Sequence, residues 1–523
     1  MSQPAPLKLP LKVPRIENSR YGSLDTSPQA VLHEIQQLPY SDINCALTLA
    51  RHKLAGFNRF KVAAQNREAA IAPFNYAFQR FIQHYRNFHK QSRYSAPPEQ
   101  SDLEAMALFT QELAYGYKLT FLDYLENGDK QHLIAKSLYG ALYYIGQSML
   151  QSYEQNLWQS PTLWREAHCL YRIAEERGFL GQEIQCDLPK PRPLTIDGLY
   201  FQMLFTSLAD PYQLSHGLHW FVFDYAGRWS HKIMAYGIAE APPVQYGFIV
   251  KLDSGKPPLP IRGIPTMENQ QLRIIASHEL ARTVASHAQQ IQQGHTHRLL
   301  GFETQFQQDD LLKTLRHLHF HWSEKPLRKN RREDLKEKVQ LVWGIPDLFL
   351  LHDPVAREYC ASRNETLNIQ NHGYARIENE SESGYCALLD NALKSRVYCG
   401  QLVAILRTDA QRRRIEIGAI QWANTYQSNL LRVGIKRIDA KVRAVCVALE
   451  KQDDHNRQGL LLIYSDNGRF SQSLIVPNDY LESGCTAYAL QPGMEHWCKL
   501  TTLSIRQQTA AFDWFDVDID LED

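Results

Sequence analysis

Apolar residues recur at helical spacing over the first third of the chain. One stripe comprises Val31, Ile35 and Leu38, and a longer one comprises Leu133, Leu138, Leu142, Ile145 and Met149. Proline or glycine residues interrupt the spacing at only a few points, which is typical of antiparallel helices packed side by side. The pattern predicts a helical domain over residues 28–187, with Ser27-Pro28 as its first helix start. A Pro-, Ser- and Lys-rich extended arm, residues 1–27, precedes it.

The middle of the chain has a mixed pattern. Three prolines within residues 188–193 exclude a helix or a central strand there. Residues 199–208, 218–229 and 272–291 then have helical spacing, whereas residues 244–252 predict a strand. We therefore expect a mixed α/β region over residues 194–322, whose fold the pattern does not define.

Short β-rich runs separated by turn residues dominate the last part of the chain. They lie at residues 339–342, 374–377, 385–389, 401–406, 415–422, 431–435 and 444–449. This regular spacing is typical of a small barrel or sandwich. We expect an antiparallel β-barrel over residues 323–450 and a β-rich extension over residues 451–523, with a strongly acidic tail from Trp514. The expected fold class is a multidomain α+β protein.

Two short motifs flank the first strand of the expected barrel. Arg328 and Arg332 form an R-x-x-x-R with Arg331 inside it, and an N-x-S-x-x-G, residues 379–384, follows 47 residues after Arg332. Its defining residues are Asn379, Ser381 and Gly384. Each motif alone also fits an ordinary polar surface turn. Their order relative to the strands makes a shared binding site the more specific hypothesis.

Four features in this order resemble the ligand-binding signature of the PilZ domain, a small β-barrel that binds cyclic di-GMP. Besides the two motifs, they are the strand Gly418–Trp422 and the closing strand that contains Val433-Gly434-Ile435. The resemblance covers about residues 323–450. It implies that a flexible arginine segment wraps over the barrel when the nucleotide binds.

By this resemblance, Arg328 and Arg332 would hold guanine and phosphate, and Arg331 could take over part of either role. Asn379, Ser381 and Gly384 would form the floor of the site. The chemistry fits, because a planar guanidinium can bond to O6 and N7 of guanine together. Guanidinium groups also bind phosphate through charge-assisted hydrogen bonds.

The overall plan is similar to FimW-type cyclic-di-GMP-binding proteins. The resemblance implies a receptor in type IV pilus-dependent surface behaviour that passes its signal to an unknown protein partner through the helical N-terminal region. It also implies recruitment to a cell pole or to the pilus machinery.

The stretch between the motifs is longer than in compact PilZ domains. Residues 348–351 and 353–363 predict an inserted helix or loop there. In addition, Glu333 and Asp334 directly follow Arg332 and could pair with the arginines in the free protein.

Composition and charge narrow the function classes further. Because the net charge is only +1, we do not expect the chain as a whole to bind nucleic acid or acidic lipid by electrostatic attraction. Nine scattered cysteines without a C-x-x-C predict neither a disulfide framework nor a zinc ribbon, as in a reducing cytoplasm. No uncharged apolar run reaches 18 residues, so we expect no membrane insertion. We expect a non-enzymatic, cytoplasmic receptor without a cofactor.

Two alternatives remain open. His317, His319 and His321 would share one face of a strand, which is compatible with a metal site, although polar or core-edge histidines explain them as well. A metal-dependent hydrolase with a site in residues 190–322 is therefore one alternative. A helical scaffold whose barrel does not bind a ligand is the other. The basic run Arg412–Arg414 lacks the interleaved aromatic residues of a nucleic-acid site.

Overall fold

The computed structural model separates the chain into two compact units. One contains Met1–Pro211 and Gly217–Leu327, and the other contains Tyr212–His216 and Arg328–Asp523. The structure describes residues 9–17, 25–91, 100–188, 193–214, 217–240, 247–261, 270–301, 304, 306, 308–323, 333–390, 397–409, 412–426, 430–450, 456–466, 469–478, 480–509 and 511–520.

Helices dominate the first unit. They are α1 (Pro28–Gln36), α2 (Ile43–Asn58), α3 (Ala64–Gln91), α4 (Gln100–Asn127), α5 (Gln131–Glu154), α6 (Pro161–Glu176), α7 (Ile196–Leu208), α8 (Leu218–Arg228), α9 (His278–Gln292) and α10 (Gln308–Ser323). The predicted start at Ser27 is confirmed, because its hydroxyl accepts a hydrogen bond from the Ala30 N–H at 3.3 Å. Ser160 caps α6 in the same way. Both serines satisfy an N–H that the helix itself leaves unpaired.

The core of the helical part contains polar groups that are paired inside it. Tyr144 on α5 donates to Asn75 on α3 at 2.9 Å, and the Asn75 amide donates to the Tyr117 hydroxyl at 2.7 Å. Lys118 on α4 pairs with Glu166 on α6 at 3.0 Å, and both side chains are almost fully buried. These paired groups fix the contacts between neighbouring helices, because an unpaired buried polar group is costly.

The N-terminal segment, residues 9–17, has no helix or strand, as the extended-arm prediction implies. It packs on the helical part through its backbone. The N–H of Lys12 donates to Glu166 at 2.5 Å, and the N–H of Glu17 donates to the Arg59 carbonyl at 2.7 Å.

A small antiparallel sheet completes the first unit. Its strands are β1 (Met234–Gly237), β2 (Gly247–Lys251), β3 (Leu259–Pro260) and β4 (Leu272–Ala276), in the order β1-β4-β2-β3. The strand predicted at 244–252 is confirmed by β2. The single helix predicted at 272–291 is wrong over its first part, since residues 272–276 form β4 and α9 starts at His278. A short apolar run fits either element, and pairing on both sides makes β4 a central strand.

The second unit is built from strands with one helical insertion. The strands are β5 (Glu333–Trp343), β6 (His372–Ser381), β7 (Gly384–Asp390), β8 (Leu402–Asp409), β9 (Arg412–Tyr426), β10 (Leu430–Ile438), β11 (Lys441–Ala448), β12 (Arg457–Asp466), β13 (Arg469–Val476), β14 (Thr486–Leu490), β15 (Cys498–Gln508) and β16 (Asp513–Asp520). Helices α11 (Ile345–His352) and α12 (Pro354–Ser362) lie between β5 and β6, which confirms the predicted insertion.

In the described ranges these strands close into two antiparallel barrels. The first barrel has the order β10-β7-β6-β5-β8-β9, and the second has the order β11-β12-β13-β16-β15-β14. One apolar cluster joins the outer face of the first barrel, helix α11 and the second barrel. Val342, Leu348 and Leu460 are examples, each at most 1% exposed. The insertion therefore serves as packing between the barrels.

The limits of the first barrel differ from those expected. Residues 444–449 were expected in the first barrel, but they lie mainly in β11, which opens the second barrel. The acidic tail expected from Trp514 instead contains β16, which pairs with β13 and β15. Phe515 and Val517 point into the second barrel, and Asp516 and Asp518 alternate with them. This period-two alternation outweighs the low β propensity of aspartate.

None of the described helices has the length and apolarity needed to cross a membrane.

Candidate functional site

The hairpin of β6 and β7 carries the N-x-S-x-x-G motif at one end of the first barrel. Ser381 lies directly opposite Gly384 in the ladder, so Glu382 and Ser383 form a two-residue turn. The Ser381 hydroxyl donates to the Gly384 carbonyl at 3.2 Å. Asn379 lies two residues before Ser381 and is half-buried. The structure therefore brings Asn379, Ser381 and Gly384 together at this end of the barrel.

Gly384 is required by the close approach of β7 to β10. A Cβ atom at this position would overlap the carbonyl oxygen of Ile435 and lie 3.1 Å from the Cα of Lys436. Its φ of 156° is also outside the range that L-residues prefer. The structure therefore explains this glycine by its positive φ and by the close approach of the neighbouring strand.

Asn379 faces the outside of the first barrel. A register shift between Ile377 and Asn379 brings Asn379 opposite Cys386, whose neighbours Tyr385 and Ala387 point into the barrel core. Because directly paired residues share a face, Asn379 and Cys386 both point outward. The Oδ1 atom of Asn379 is buried and has no hydrogen-bond partner among the described residues. A buried acceptor without a donor is costly, which makes this atom a candidate ligand contact.

Glu380, between Asn379 and Ser381, points inward instead and anchors the hairpin. Its carboxylate accepts hydrogen bonds from Arg407 on β8 at 2.9 Å and from Arg437 on β10 at 2.5 Å. Arg437 also donates to the Tyr385 hydroxyl at 2.6 Å, and that hydroxyl donates to Glu416 on β9. The network ties five strands together just beneath the motif, namely β6, β7, β8, β9 and β10.

Charges in this network set the protonation of its members. Desolvation acts to raise the pKa of Glu380, but the hydrogen bonds and charges of Arg407 and Arg437 outweigh it and lower the pKa. Desolvation and the hydrogen bond to Glu416 raise the pKa of Tyr385, so its phenol stays neutral. Both guanidiniums also lie over the Tyr385 ring, at 5.1 Å for Arg407 and 4.7 Å for Arg437. The hairpin is therefore held by an ionised carboxylate between two cations.

The outer face of the barrel around Asn379 carries several exposed cations, although the exposed Asp334 on β5 lies directly opposite Asn379. Lys338 on β5 and Arg376 on β6 are directly opposite each other and are both exposed, as is Lys436 on β10. Like charges in directly opposed positions are unfavourable unless an anion separates them. Arg432 on β10 is also on this face, but its charge is paired, because it lies 2.8 Å from the carboxylate of Glu378. This face is suited to a ligand that carries several negative charges.

The arginines of the R-x-x-x-R motif, Arg328, Arg331 and Arg332, lie outside the described residues, and so does their expected pairing with Glu333 and Asp334. The described chain resumes at Glu333, directly after Arg332. Glu333 pairs with Glu380 in the β5–β6 ladder.

The two late strands of the PilZ-like signature are β9 and β10, which pair with each other. Trp422 lies opposite Gly434, and a register shift follows between Gly434 and Ile435. The indole of Trp422 covers Gly434 so closely that a methyl group there would overlap the ring. Sequence reasoning quoted Trp422 as part of the signature but did not assign it to the site. It missed Glu380, whose inward direction follows from the register shift on β6.

The histidines considered for a metal site lie on α10 and not on a strand. His317 and His321 are one helical turn apart, with ring centres at 4.3 Å, whereas His319 donates from Nδ1 to the Ala281 carbonyl at 3.2 Å. Burial, with a smaller effect of His317, lowers the pKa of His321 to about 4. In the described ranges, no group of three or more His, Cys, Asp or Glu side chains is arranged to hold a metal ion.

Comparison with known protein families gives a match to one part of the chain. The model of the family described as "Cyclic-di-GMP receptor FimW, N-terminal domain" matches residues 29–236. This part of the chain is therefore similar to a FimW-type N-terminal domain. It runs from α1 to β1, and the FimW-type resemblance predicted from the overall plan is thereby confirmed. We refer to residues 29–236 as the FimW domain.

The matched residues do not include the candidate site. Apart from Tyr212–His216, the FimW domain belongs to the first unit, whereas Asn379, Ser381 and Gly384 lie in the first barrel of the second unit. The family description is that of a cyclic-di-GMP receptor, and it leaves the location of the nucleotide open. No curated protein and no solved structure matches the chain.

Proposed function

We propose that the protein is a cyclic-di-GMP receptor that binds the nucleotide on the outer face of its first barrel, through a PilZ-like site. The description of the FimW domain supports the ligand. The site assignment is supported mainly by the pairing of Glu333 with Glu380. Because Glu333 directly follows Arg332, this pairing tethers the arginine segment beside the motif that contains Asn379 and Ser381.

The tether is short enough for both motif arginines to act on one ligand. Five residues, 328–332, extend over at most roughly 18 Å, so neither guanidinium can move far from Glu333. In the proposal Arg328 and Arg332 hold guanine and phosphate, and Arg331 assists. Asn379 offers its unpaired Oδ1 to a donor of the guanine, such as N1–H or the exocyclic amine. Ser381 and Gly384 line the turn.

The face has the charge that such a ligand requires. Cyclic di-GMP has two phosphodiester groups, each with one negative charge. Lys338, Arg376 and Lys436 supply exposed positive charge around the turn, while Glu380 is neutralised inside the barrel by Arg407 and Arg437. Anion binding is therefore favoured on the outside of the hairpin without breaking its inner network.

The protein is proposed to act without catalysis and without a cofactor, as a cytoplasmic receptor. Binding would favour one arrangement of the arginine segment and shift the population toward it. That segment connects α10 to β5 along the chain. The FimW domain would then transmit the signal to a protein partner in type IV pilus-dependent surface behaviour, near the cell pole or the pilus machinery.

Titration calorimetry on the full-length protein tests this function. We expect a clear binding heat with cyclic di-GMP, and we expect Arg328→Ala, Arg332→Ala and Asn379→Ala to weaken binding by at least tenfold. Arg363→Ala is the matched control, because Arg363 is an exposed arginine directly after α12 that stacks on Tyr359. Its affinity should equal that of the wild type.

Two results would contradict the proposal. Absence of binding heat in the wild type would reject the receptor function of the barrel and favour a scaffold whose partner binding ignores the nucleotide. Equal binding by the wild type and the three site variants would reject the site.

A further inference from the structure

The described part of the N-terminal arm, residues 9–17, is held on the helical part by backbone hydrogen bonds. The N–H of Lys12 donates to Oε1 of Glu166 on α6 at 2.5 Å. The N–H of Glu17 donates at 2.7 Å to the carbonyl of Arg59, directly after α2. A carbonyl at a helix end has no partner within the helix, and a carboxylate can accept several donors. Both acceptors therefore suit any chain segment that presents backbone N–H groups at these points.

Both acceptors are connected to one side of α4. Arg59 pairs with Glu112 at 3.0 Å, and six residues further along α4, Lys118 pairs with Glu166 at 3.0 Å. Six helical residues rise about 9 Å, which the five residues from Lys12 to Glu17 can span. Burial raises the pKa of Tyr115, and Glu112 and Glu166 raise it further, because the phenol lies near both. We refer to Arg59, Glu112, Tyr115, Lys118 and Glu166 as the arm site.

The central residues of the arm site are buried, although the arm that lies on it is not. The side chains of Lys118 and Glu166 are 3% and 2% exposed. In residues 9–17, by contrast, no side chain is buried. Those of Leu9, Leu11 and Val13 are half-buried, whereas Lys12 is exposed.

This alternation shows that every second arm residue faces the helical part, as on one face of a strand. A segment without a buried side chain gains little from the burial of apolar surface. Such a segment opens more easily than the core does. The arm is therefore held mainly by its backbone and by three half-buried apolar side chains.

The carboxylate of Glu166 is shared between the arm and α4. Its Oε1 accepts from the Lys12 N–H and also from Lys118 Nζ at 3.0 Å. Release of the arm would remove one donor and leave the ion pair in place. A carboxylate held by a buried lysine then favours another backbone N–H, because such a hydrogen bond is charge-assisted.

We propose that the arm site is where a protein partner docks on the FimW domain, and that the arm is an internal ligand which the partner displaces. The partner would present an extended segment with apolar residues at alternate positions and a free backbone N–H at the position of Lys12. The acceptors Arg59 and Glu166 lie within the FimW domain, whereas the arm precedes it. The inference rests on the proposed function only for the existence of a protein partner.

A separate protein fits the site better than the arm of a second copy does. Exchange of arms between two copies would replace the contacts by identical ones, so it gains no contact energy and still costs association entropy. The tethered arm also competes at an effective concentration on the order of millimolar. A segment of another protein can make contacts that the arm lacks, since residues 9–17 bury none of their side chains.

Fluorescence anisotropy with a labelled synthetic peptide tests the inference. The peptide has the sequence of residues 7–19 and is titrated with full-length protein in the absence of cyclic di-GMP. Lys12→Pro removes the N–H that binds Glu166, so the protein's own arm competes less. This variant should bind the peptide about tenfold more tightly than the wild type does. Arg15→Pro is the matched control, because it places proline at an exposed arm position that is not an anchor. Its affinity should stay within about twofold of the wild type.

Modified peptides test the chemistry of the partner on the Lys12→Pro protein. N-methylation of the peptide at Lys12 removes the N–H but keeps the side chain, and it should weaken binding about tenfold. N-methylation at Arg15 should change the affinity by less than about twofold. Aspartate in place of Leu9, Leu11 and Val13 should abolish binding, because charges would replace the apolar face.

Leu11→Asp is a second variant that releases the arm, and circular dichroism shows which of the two variants is folded. A folded release variant that binds the peptide no better than the wild type would overturn the docking site. Binding that ignores N-methylation at Lys12 would reject the role of Glu166. A wild-type dimer in sedimentation that Lys12→Pro loses would identify a second copy as the occupant and reject a separate partner. Failure of the proposed function appears in the titration with cyclic di-GMP and is thereby distinguished from failure of this inference.

Discussion

Arg437 on β10 donates from Nη2 to Oε1 of Glu380 on β6 at 2.5 Å, beneath the outer face that carries the candidate site. Glu380 lies between Asn379 and Ser381 in the chain, so this contact anchors the hairpin from inside the first barrel. Arg407 binds the other carboxylate oxygen at 2.9 Å. The position of the motif on the outer face of the barrel therefore depends on the charged groups of Glu380, Arg407 and Arg437 in the barrel interior.

Replacement of Glu380 by Gln tests this anchor. We expect the free energy of unfolding of the second unit to fall by about 1–2 kcal/mol, because Arg407 and Arg437 lose their shared anion at a partly exposed site. Urea denaturation followed by circular dichroism measures the change. Glu495→Gln, an exposed carboxylate in the second barrel, serves as the control. Equal losses in both variants would contradict the anchoring role.

The Glu380→Gln variant also tests how the folding stability depends on pH. The folded-state pKa of Glu380 is lowered from 4.5, so its stabilising contribution is present above that value and is lost as the pH falls through the lower folded-state pKa. The stabilities of the wild type and Glu380→Gln should therefore converge in acid. A difference that stays constant down to pH 3 would contradict the assignment.

Substitution of Gly384 by Ala should destabilise the first barrel. The added methyl group meets the Ile435 carbonyl, which is backbone and cannot rotate away. We expect a loss of about 2 kcal/mol or more in the free energy of unfolding, together with weaker nucleotide binding. Gly237→Ala on β1 is the matched control, since its nearest contact is a Glu240 carboxylate oxygen at 3.7 Å. A Gly384→Ala protein as stable as this control would show that β7 and β10 are not in such close contact.

Glu154 on α5 makes the stability of the first unit sensitive to pH. It lines a small cavity with Ile82, Leu103 and Trp220, and burial raises its pKa to about 8, although Arg86 opposes the shift. Between its ordinary value of 4.5 and about 8, the folded protein keeps a proton that the unfolded chain loses. Stability should therefore fall as the pH rises through this interval, by at most about 1.4 kcal/mol per pH unit.

Glu154→Gln removes this dependence. Denaturation at pH 5.5 and 7.5 should show a smaller loss of stability in the variant than in the wild type over the same interval, and the variant should be the more stable protein at pH 7.5. Equal pH dependence of the two proteins would mean that Glu154 ionises in the folded state without penalty.

The buried pair of Lys118 and Glu166 should be costly to break. Its nitrogen and oxygen are 3.0 Å apart and the side chains are 3% and 2% exposed. Lys118→Met leaves the Glu166 carboxylate without its counter-charge, and we expect a loss of about 3–5 kcal/mol in thermal or urea unfolding. Arg282→Met breaks an exposed pair with Glu279 and should change stability by less than about 0.5 kcal/mol. Similar effects of the two substitutions would contradict the burial of the pair.

Much of the fold could be predicted locally. The stripe of Leu138, Leu142 and Ile145 is buried in α5, and the run of residues 385–389 forms β7, because one-sided burial imposes a period of 3.6 in helices and of two in strands. The turn residues Ser381 and Gly384 also have local signatures. Residues 272–276 fit either a helix or a strand, and β16 alternates like a strand but is rich in aspartate. In both cases, pairing with strands distant in the sequence decided the structure.

The sequence by itself determined the helical first part, the strand-rich last part and the turn that contains Asn379, Ser381 and Gly384. Only the tertiary structure decided that Glu380 points inward, that Trp422 shares a row with Asn379, and that β5 begins beside the turn. The physical reason is that periodicity reports which face of an element is buried. The register between strands, and each bulge that shifts it, depends on backbone pairing between residues far apart in the chain.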